Sequence, residues 1–258
     1  MVIGIAMLFL GRKTTSVAKA VEQINHIVQF LVEFISKLVP YFIFIVLVRM
    51  IWSNTLSIML TVGKLFCVFI AAIIVMLIGM VVYTSICTHT GISLLVKKGL
   101  PTLLIALSTA SSAAAFGTNM TACHKSYGID DKISSFGIPL GMVTFKPATA
   151  VCYMAMSLFF AQMYSVDISI AWIIIMLFSA STLAIATPPI PGGSITSYTV
   201  LFAQLGIPAE AIAIALACDA LFDFISTGVD QFLLPMVLLN QAGKLGMVDR
   251  KVLLDKTK

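Results

Sequence analysis

Between Leu65 and Val96 the chain carries no Asp, Glu, Lys or Arg. An apolar run longer than the roughly 20 residues that cross a hydrocarbon core marks a membrane-embedded helix. The constraint is severe, because lipid offers no partner to backbone polar groups and only helices or closed barrels satisfy them internally. Composition agrees: 60% of residues are hydrophobic, 10% are charged and the mean hydropathy is +1.06. Soluble domains carry about a quarter charged residues, so a soluble enzyme, a nucleic-acid binder and a disordered chain are all excluded. At roughly 20 residues per span, 258 residues hold about six to eight embedded segments. The net charge of +5 comes without any Lys/Arg cluster interleaved with aromatics and is no sign of nucleic acid. Cys67, Cys87, Cys123, Cys152 and Cys218 lie in apolar stretches without CxxC spacing. They read as small lipid- or core-facing residues rather than a metal cage or disulfide framework.

The Leu65–Val96 run belongs to a helix expected at about 58–88. Ahead of it, Val17–Val48 reads as a long helix with a charged first half and a kink at Pro40. Met1–Leu10 is apolar but too short to cross, and Arg12 and Lys13 follow it rather than precede it, unlike a signal peptide. It resembles the second half of a transmembrane helix. Four further apolar stretches follow: 99–127, 133–163, 168–205 and 209–239. The first three are interrupted, by Ser108-Thr109-Ala110-Ser111-Ser112, by Thr144-Phe145-Lys146-Pro147, and by Ala186 to Ser194 with Pro188, Pro189, Pro191, Gly192 and Gly193. Such breaks at membrane depth require protein or a wet cavity around them.

Charge bias then decides the path of the chain. If 99–127 and 168–205 are hairpins that enter and leave on one side, 12 of the 16 Lys and Arg share a face. The positive-inside rule makes that face cytoplasmic, with the C-terminus inside. A single crossing of each broken segment would separate Lys97-Lys98 from Lys125 and Lys132. The hairpin path also gives an internal repeat of shape, helix plus hairpin twice over and inverted, which marks secondary transporters.

Ionisable groups inside a bilayer cost several kcal/mol and are functional by default. On one helix Asp219, Asp223, Ser226 and Asp230 fall at about 0°, 40°, 340° and 20°, a single polar stripe. For Asp219, nearer the outer end, a solvated helix-end charge is the alternative. Lys146 sits near mid-depth, where a carboxylate is its natural partner, and the expectation is a pair with Asp230 or Asp223. Snorkelling to the membrane edge is the alternative. Ser111 and Ser112 offer hydroxyls and backbone N–H groups suited to a carboxylate, or simply allow close helix packing. The Pro/Gly-rich second tip suits a gate, and a rigid turn would look similar.

Taken together, these segments resemble the dicarboxylate/amino acid:cation symporter family, which includes the glutamate transporters. The likeness runs from the first apolar piece to Leu254. It rests on the serine-bearing first tip, Ile138-Pro139-Leu140-Gly141, the interrupted helix, the second tip and Asp219-Ala220-Leu221-Phe222-Asp223. It implies an all-α integral membrane fold, an inverted-repeat transporter with two re-entrant helical hairpins. Residues 1–50 would be part of a scaffold, 51–245 a mobile transport domain and 246–258 a cytoplasmic tail. Within the transport domain, hairpin 1 is expected at about 93–128, a broken helix at 131–163, hairpin 2 at 168–206 and a last helix at 208–240. By the same comparison the chain lacks the first three helices and most of the fourth. Supplied with them, it would form a homotrimer in the plasma (inner) membrane.

The resemblance further implies substrate contacts at Ser111, Ser112, Pro191 and Gly192 on the tips, and at Asp223, Ser226, Thr227 and Asp230 on the last helix. It implies ion coupling at Gly141, Lys146 and Asp230, with sodium or a proton as the ion and no other cofactor. Asp223 aligns with the aspartate that holds an amino group, and Ser226 with the arginine that reads a side-chain carboxylate. An amino acid with a neutral side chain is therefore favoured over an acidic one or a dicarboxylate. The ion-site motif Asn-Met-Asp-Gly-Thr is replaced by Phe145-Lys146-Pro147-Ala148-Thr149, its eighth-helix Asn by Asp230 and a later Asp by Leu234. The ammonium of Lys146 would stand in for a bound cation, making transport sodium-independent or proton-coupled. A degenerate, non-transporting protein is the alternative. His26, His89 and His124 form no HExxH or similar motif, so no enzyme is expected.

Overall fold

The computed structural model describes residues 23, 41, 56–188 and 193–255. Apart from residues 23 and 41, the long helix expected at 17–48 falls outside the described residues, as do Pro191 and Gly192, expected to contact substrate. Helix α1 spans Leu56–Thr88, starting two residues before the expected position. It ends where His89 takes a left-handed conformation, φ 53°. Its inner face packs on the last long helix, α8 (Glu210–Lys244), through Phe66 and Phe69, whose rings lie 5.5 and 4.9 Å from that of Phe222. Asn240 Nδ2 donates to Thr84 Oγ1 at 2.9 Å and fixes the other end of the contact.

After α2 (Ile92–Thr109) the chain turns at Ala110, φ 47°. It returns through α3 (Phe116–Thr121) and a π-helical turn, Ala122–Ser126. Tyr127 Oη donates to Leu95 O at 2.8 Å and Lys98 Nζ to Ser126 O at 2.6 Å, so both ends of this stretch lie together. The second hairpin closes the same way. Its arms are α6 (Ile170–Ala186) and α7 (Ser194–Gln204), and Trp172 Nε1 donates to Leu205 O at 2.9 Å. Neither segment is a single kinked crossing.

Between the hairpins the broken helix is α4 (Asp131–Thr144) followed by α5 (Pro147–Met163). Proline suits the first helical position because its missing N–H has no helical partner there, and it pushes the preceding residue out of the helical region. Lys146 accordingly sits at φ −132°, ψ 55°. One helix plus hairpin is thus followed by a second helix plus hairpin, with α8 running through the core against α1, α2 and α5. Four of the described segments are long and apolar enough to cross a membrane: Val62–Thr88, Ile92–Thr109, Asp131–Met163 and Leu221–Lys244.

The stretch expected as a tail is docked on the base of hairpin 1. Ile129 and Val248 form an antiparallel bridge, and Asp249 N donates to Gly128 O at 2.8 Å. Gly128 has φ +66°, and a Cβ there would meet Asp249 O at 2.6 Å, so only glycine fits this crossing. The chain then forms α9 (Arg250–Leu254) with Leu253 buried. Lys98, only 3% exposed, donates to Val252 O and Leu253 O at 2.9 Å each. One ammonium thereby caps the carbonyl ends of both α9 and the π-helical turn.

Candidate substrate pocket

The two hairpin tips, the break between α4 and α5, and one face of α8 converge on a single pocket. Ala110 and Ser112 come from the first tip, Thr187, Pro188 and Ser194 from the second, and Lys146, Thr149, Cys152 and Tyr153 from the broken helix. The face of α8 adds Asp219, Asp223, Ser226 and Thr227. The cavity among these groups is about 20 Å³. One water needs roughly 10–15 Å³ on that measure, so the pocket is closed down and a larger occupant needs a tip to move.

Three aspartates of the polar stripe divide into different environments. Asp223 accepts one hydrogen bond among the described residues, from Thr227 Oγ1 at 3.1 Å, which leaves acceptor capacity on the pocket side. Asp219 accepts from Tyr198 Oη at 2.8 Å and from Ser194 Oγ, both on α7. It is buried rather than a solvated helix-end charge. Asp230, 1% exposed, does not line the pocket. Its carboxylate accepts from Ala148 N at 2.6 Å, Thr149 N at 3.2 Å and Thr149 Oγ1 at 2.7 Å. It caps the start of α5 from another helix, in the way a local N-cap side chain satisfies the orphan donors of a first turn.

That cap explains why the expected Lys146 pairing does not form. With Asp230 engaged by the N–H groups of α5, Lys146 Nζ donates instead to the Thr187 carbonyl of the second tip at 2.8 Å. Among the described residues neither Asp223 nor Asp230 forms an ion pair with it, although both act on it electrostatically. Thr187 is a junction. Its hydroxyl also meets Tyr153 Oη at 2.7 Å and Ser197 Oγ at 2.8 Å.

The remaining expected residues are placed as follows. Ser112, Ser226 and Thr227 line the pocket, with Ser226 Oγ donating to Phe222 O at 2.6 Å. Ser111 is fully buried but shapes the turn: its N–H donates to Thr109 Oγ1 and its Oγ accepts from Ala114 N, both at 3.3 Å. The N–H groups of Ala114, Ala115 and Phe116 are bonded within that turn. Gly141 also lies outside the pocket lining. Its carbonyl accepts from Phe145 N at 2.8 Å, and a Cβ there would run into the Leu234 side chain. Sequence reasoning did not find Cys152, Tyr153, Thr187 and Ser194 as pocket residues, since none is ionised near neutral pH and none forms a motif.

The sequence profile of the sodium:dicarboxylate symporter family matches residues 1–232. A Haemophilus influenzae protein named "uncharacterized symporter" is 25% identical over 234 residues, covering 88% of this chain and 53% of the relative. Human neutral amino acid transporter A is 22% identical over 240 residues, covering 89% of this chain and 44% of that protein. Mouse excitatory amino acid transporter 3 is 27% identical over 128 residues, covering 50% of this chain and 24% of that one. The chain thus spans about half, or less, of the length of these relatives, all of which are named as transporters or symporters rather than enzymes. With a match that takes in nearly its whole length, this all-α, multi-pass membrane chain belongs to the sodium:dicarboxylate symporter family.

Proposed function

We propose that the protein is a secondary active symporter that moves an amino acid with a neutral side chain across the membrane by alternating access, coupled to a cation. The observation that carries this reading is the meeting of two hairpin tips, a helix break and the α8 stripe around one pocket. Asp223 has an open acceptor for an ammonium group, the hydroxyl of Ser112 suits a carboxylate, and Thr149 Oγ1 and Ser226 Oγ, whose protons go to Asp230 and Phe222 O, can still accept from a small polar side chain. Ser226 stands where the family resemblance puts an arginine, and no arginine lines the pocket among the described residues. An acidic side chain would find there no bidentate partner of the kind that carboxylate recognition favours.

For the coupling ion, the family name points to sodium. The ammonium of Lys146, bonded to the second tip, takes the role of one bound cation, so that uptake persists without sodium. In the same reading residues 51–245 form the transport domain, residues 1–50 belong to a trimeric scaffold, and the C-terminus is cytoplasmic. Uptake of labelled serine or alanine into proteoliposomes tests the proposal. Saturable uptake that glutamate fails to inhibit, retained in sodium-free buffer, is the expected result. Strict sodium dependence overturns the assignment of Lys146, and absence of uptake or exchange of any amino acid overturns the transporter reading.

A further inference from the structure

Where the hydroxyl protons of the pocket go decides what a substrate must bring to it. A hydroxyl or thiol has one proton to give, however many bonds it accepts. Thr227 gives its proton to Asp223, Tyr198 and Ser194 give theirs to Asp219, and Thr149 gives its own to Asp230. Ser226 and Thr187 donate to carbonyls one turn back, Phe222 O and Leu183 O. Two further contacts then have only one direction. With the Thr187 proton on Leu183 O, Tyr153 Oη donates to Thr187 Oγ1 at 2.7 Å. With the Tyr198 proton on Asp219, the Cys152 thiol donates to Tyr198 Oη, 3.6 Å away.

Among the described side chains that line the pocket, this leaves donors only on Ser112 and on Lys146, the latter beyond its bond to Thr187. A substrate carboxylate requires both of them. Acceptors, by contrast, are in surplus. A carboxylate has about four lone-pair sites, and Asp219 receives one hydroxyl on each oxygen. Ser226 Oγ, with its proton committed, can still accept, and the thiol of Cys152 lies against it. Asp219 stands one helical turn before Asp223 and Ser226 about one turn after it. With an ammonium on Asp223, the side chain of the same ligand has an acceptor within reach on either side.

We propose that the pocket selects an amino acid whose side chain donates a hydrogen bond, a hydroxyl amino acid above all, and that Asp219 and Ser226 read that donor. This deepens the transporter reading and rests on it for the presence of an amino acid. A hydroxyl is the smallest such donor, in keeping with a cavity of about 20 Å³. An acidic side chain brings only lone pairs to a wall of lone pairs. An apolar isostere such as valine in place of threonine leaves buried acceptors without a partner, the kind of mismatch that polar sites reject most strongly.

Competition against labelled serine on the purified full chain in detergent tests this, with threonine and valine as the isosteric pair and aspartate as the acceptor-only side chain. We expect threonine to compete about ten- to a hundredfold better than valine, and aspartate no better than valine. Ser226→Ala removes one acceptor and should narrow the threonine-to-valine ratio about threefold. Asp219→Asn removes the charged acceptor and should narrow it about tenfold. Loss of folded protein lowers the number of binding sites and leaves that ratio where it was. Valine competing as well as threonine overturns the proposal, and so does a ratio that neither variant moves; in both cases the transporter reading stands. Absence of binding of any amino acid overturns both.

Discussion

Replacing Asp230 separates a helix cap from a charge. In Asp230→Ala, Ala148 N, Thr149 N and Thr149 Oγ1 lose their acceptor at a site that is 1% exposed. Water does not reach the site to replace it. Orphaning a buried donor costs about 1–3 kcal/mol, and the three losses overlap, so a total of about 3–5 kcal/mol is expected. In Asp230→Asn the amide oxygen still accepts from Ala148 N, while the amide nitrogen can donate to Thr149 Oγ1. One bond and the charge are lost, for about 1–2 kcal/mol. On the scale of about 2–4 °C per kcal/mol for a chain of this size, thermal unfolding in detergent should fall by roughly 10 °C for alanine and roughly 4 °C for asparagine. Differential scanning fluorimetry with a thiol-reactive dye reads both, since Cys123, Cys152 and Cys218 are buried. Equal losses for the two variants would refute the capping role. A neutral asparagine as harmful as alanine would mean that the negative charge, not the acceptor geometry, is what the site requires.

Further outcomes follow from other contacts. Gly141→Ala drives a methyl into Leu234 and should cost about 1–3 kcal/mol, largely recovered in Gly141→Ala/Leu234→Ala; unfolding temperatures of the single and double variants check this. Lys98→Met removes three bonds to Ser126, Val252 and Leu253, and deuterium exchange across 247–254 should speed at least tenfold while that of α5 is unchanged. Lys146→Met removes the tie to Thr187. Amino acid uptake should fall severalfold in sodium-free buffer and regain part of its rate on adding sodium. An ion dependence identical to that of the unmodified protein defeats the cation-mimic assignment.

The architecture was legible because its signals are one-dimensional. Apolar runs, their interruptions and the side on which lysines gather are properties of sequence order, and the hairpins follow from them. The α8 stripe was legible for the same reason, as a helix has one period. Pairings between elements were not. Lys146 turns to Thr187 because Asp230 is engaged by the N–H groups of Ala148 and Thr149, and no pattern along the chain announces a carboxylate that caps a helix 81 or 82 residues away. Asp219 looked like the most peripheral of the three aspartates, and only the fold of α7 against α8 brings two hydroxyls to it. The docking of 247–254 was equally invisible, since its cues are a glycine and a buried lysine that sequence reading assigns to a membrane edge.

The cap formed by Lys98 also imposes an order on biogenesis. Its acceptors at Val252 and Leu253 lie 154 and 155 residues further along the chain. A ribosome therefore adds at least 154 residues beyond Lys98 before the base of hairpin 1 is finished. Until then that ammonium lacks the two carbonyl acceptors that α9 supplies in the folded chain.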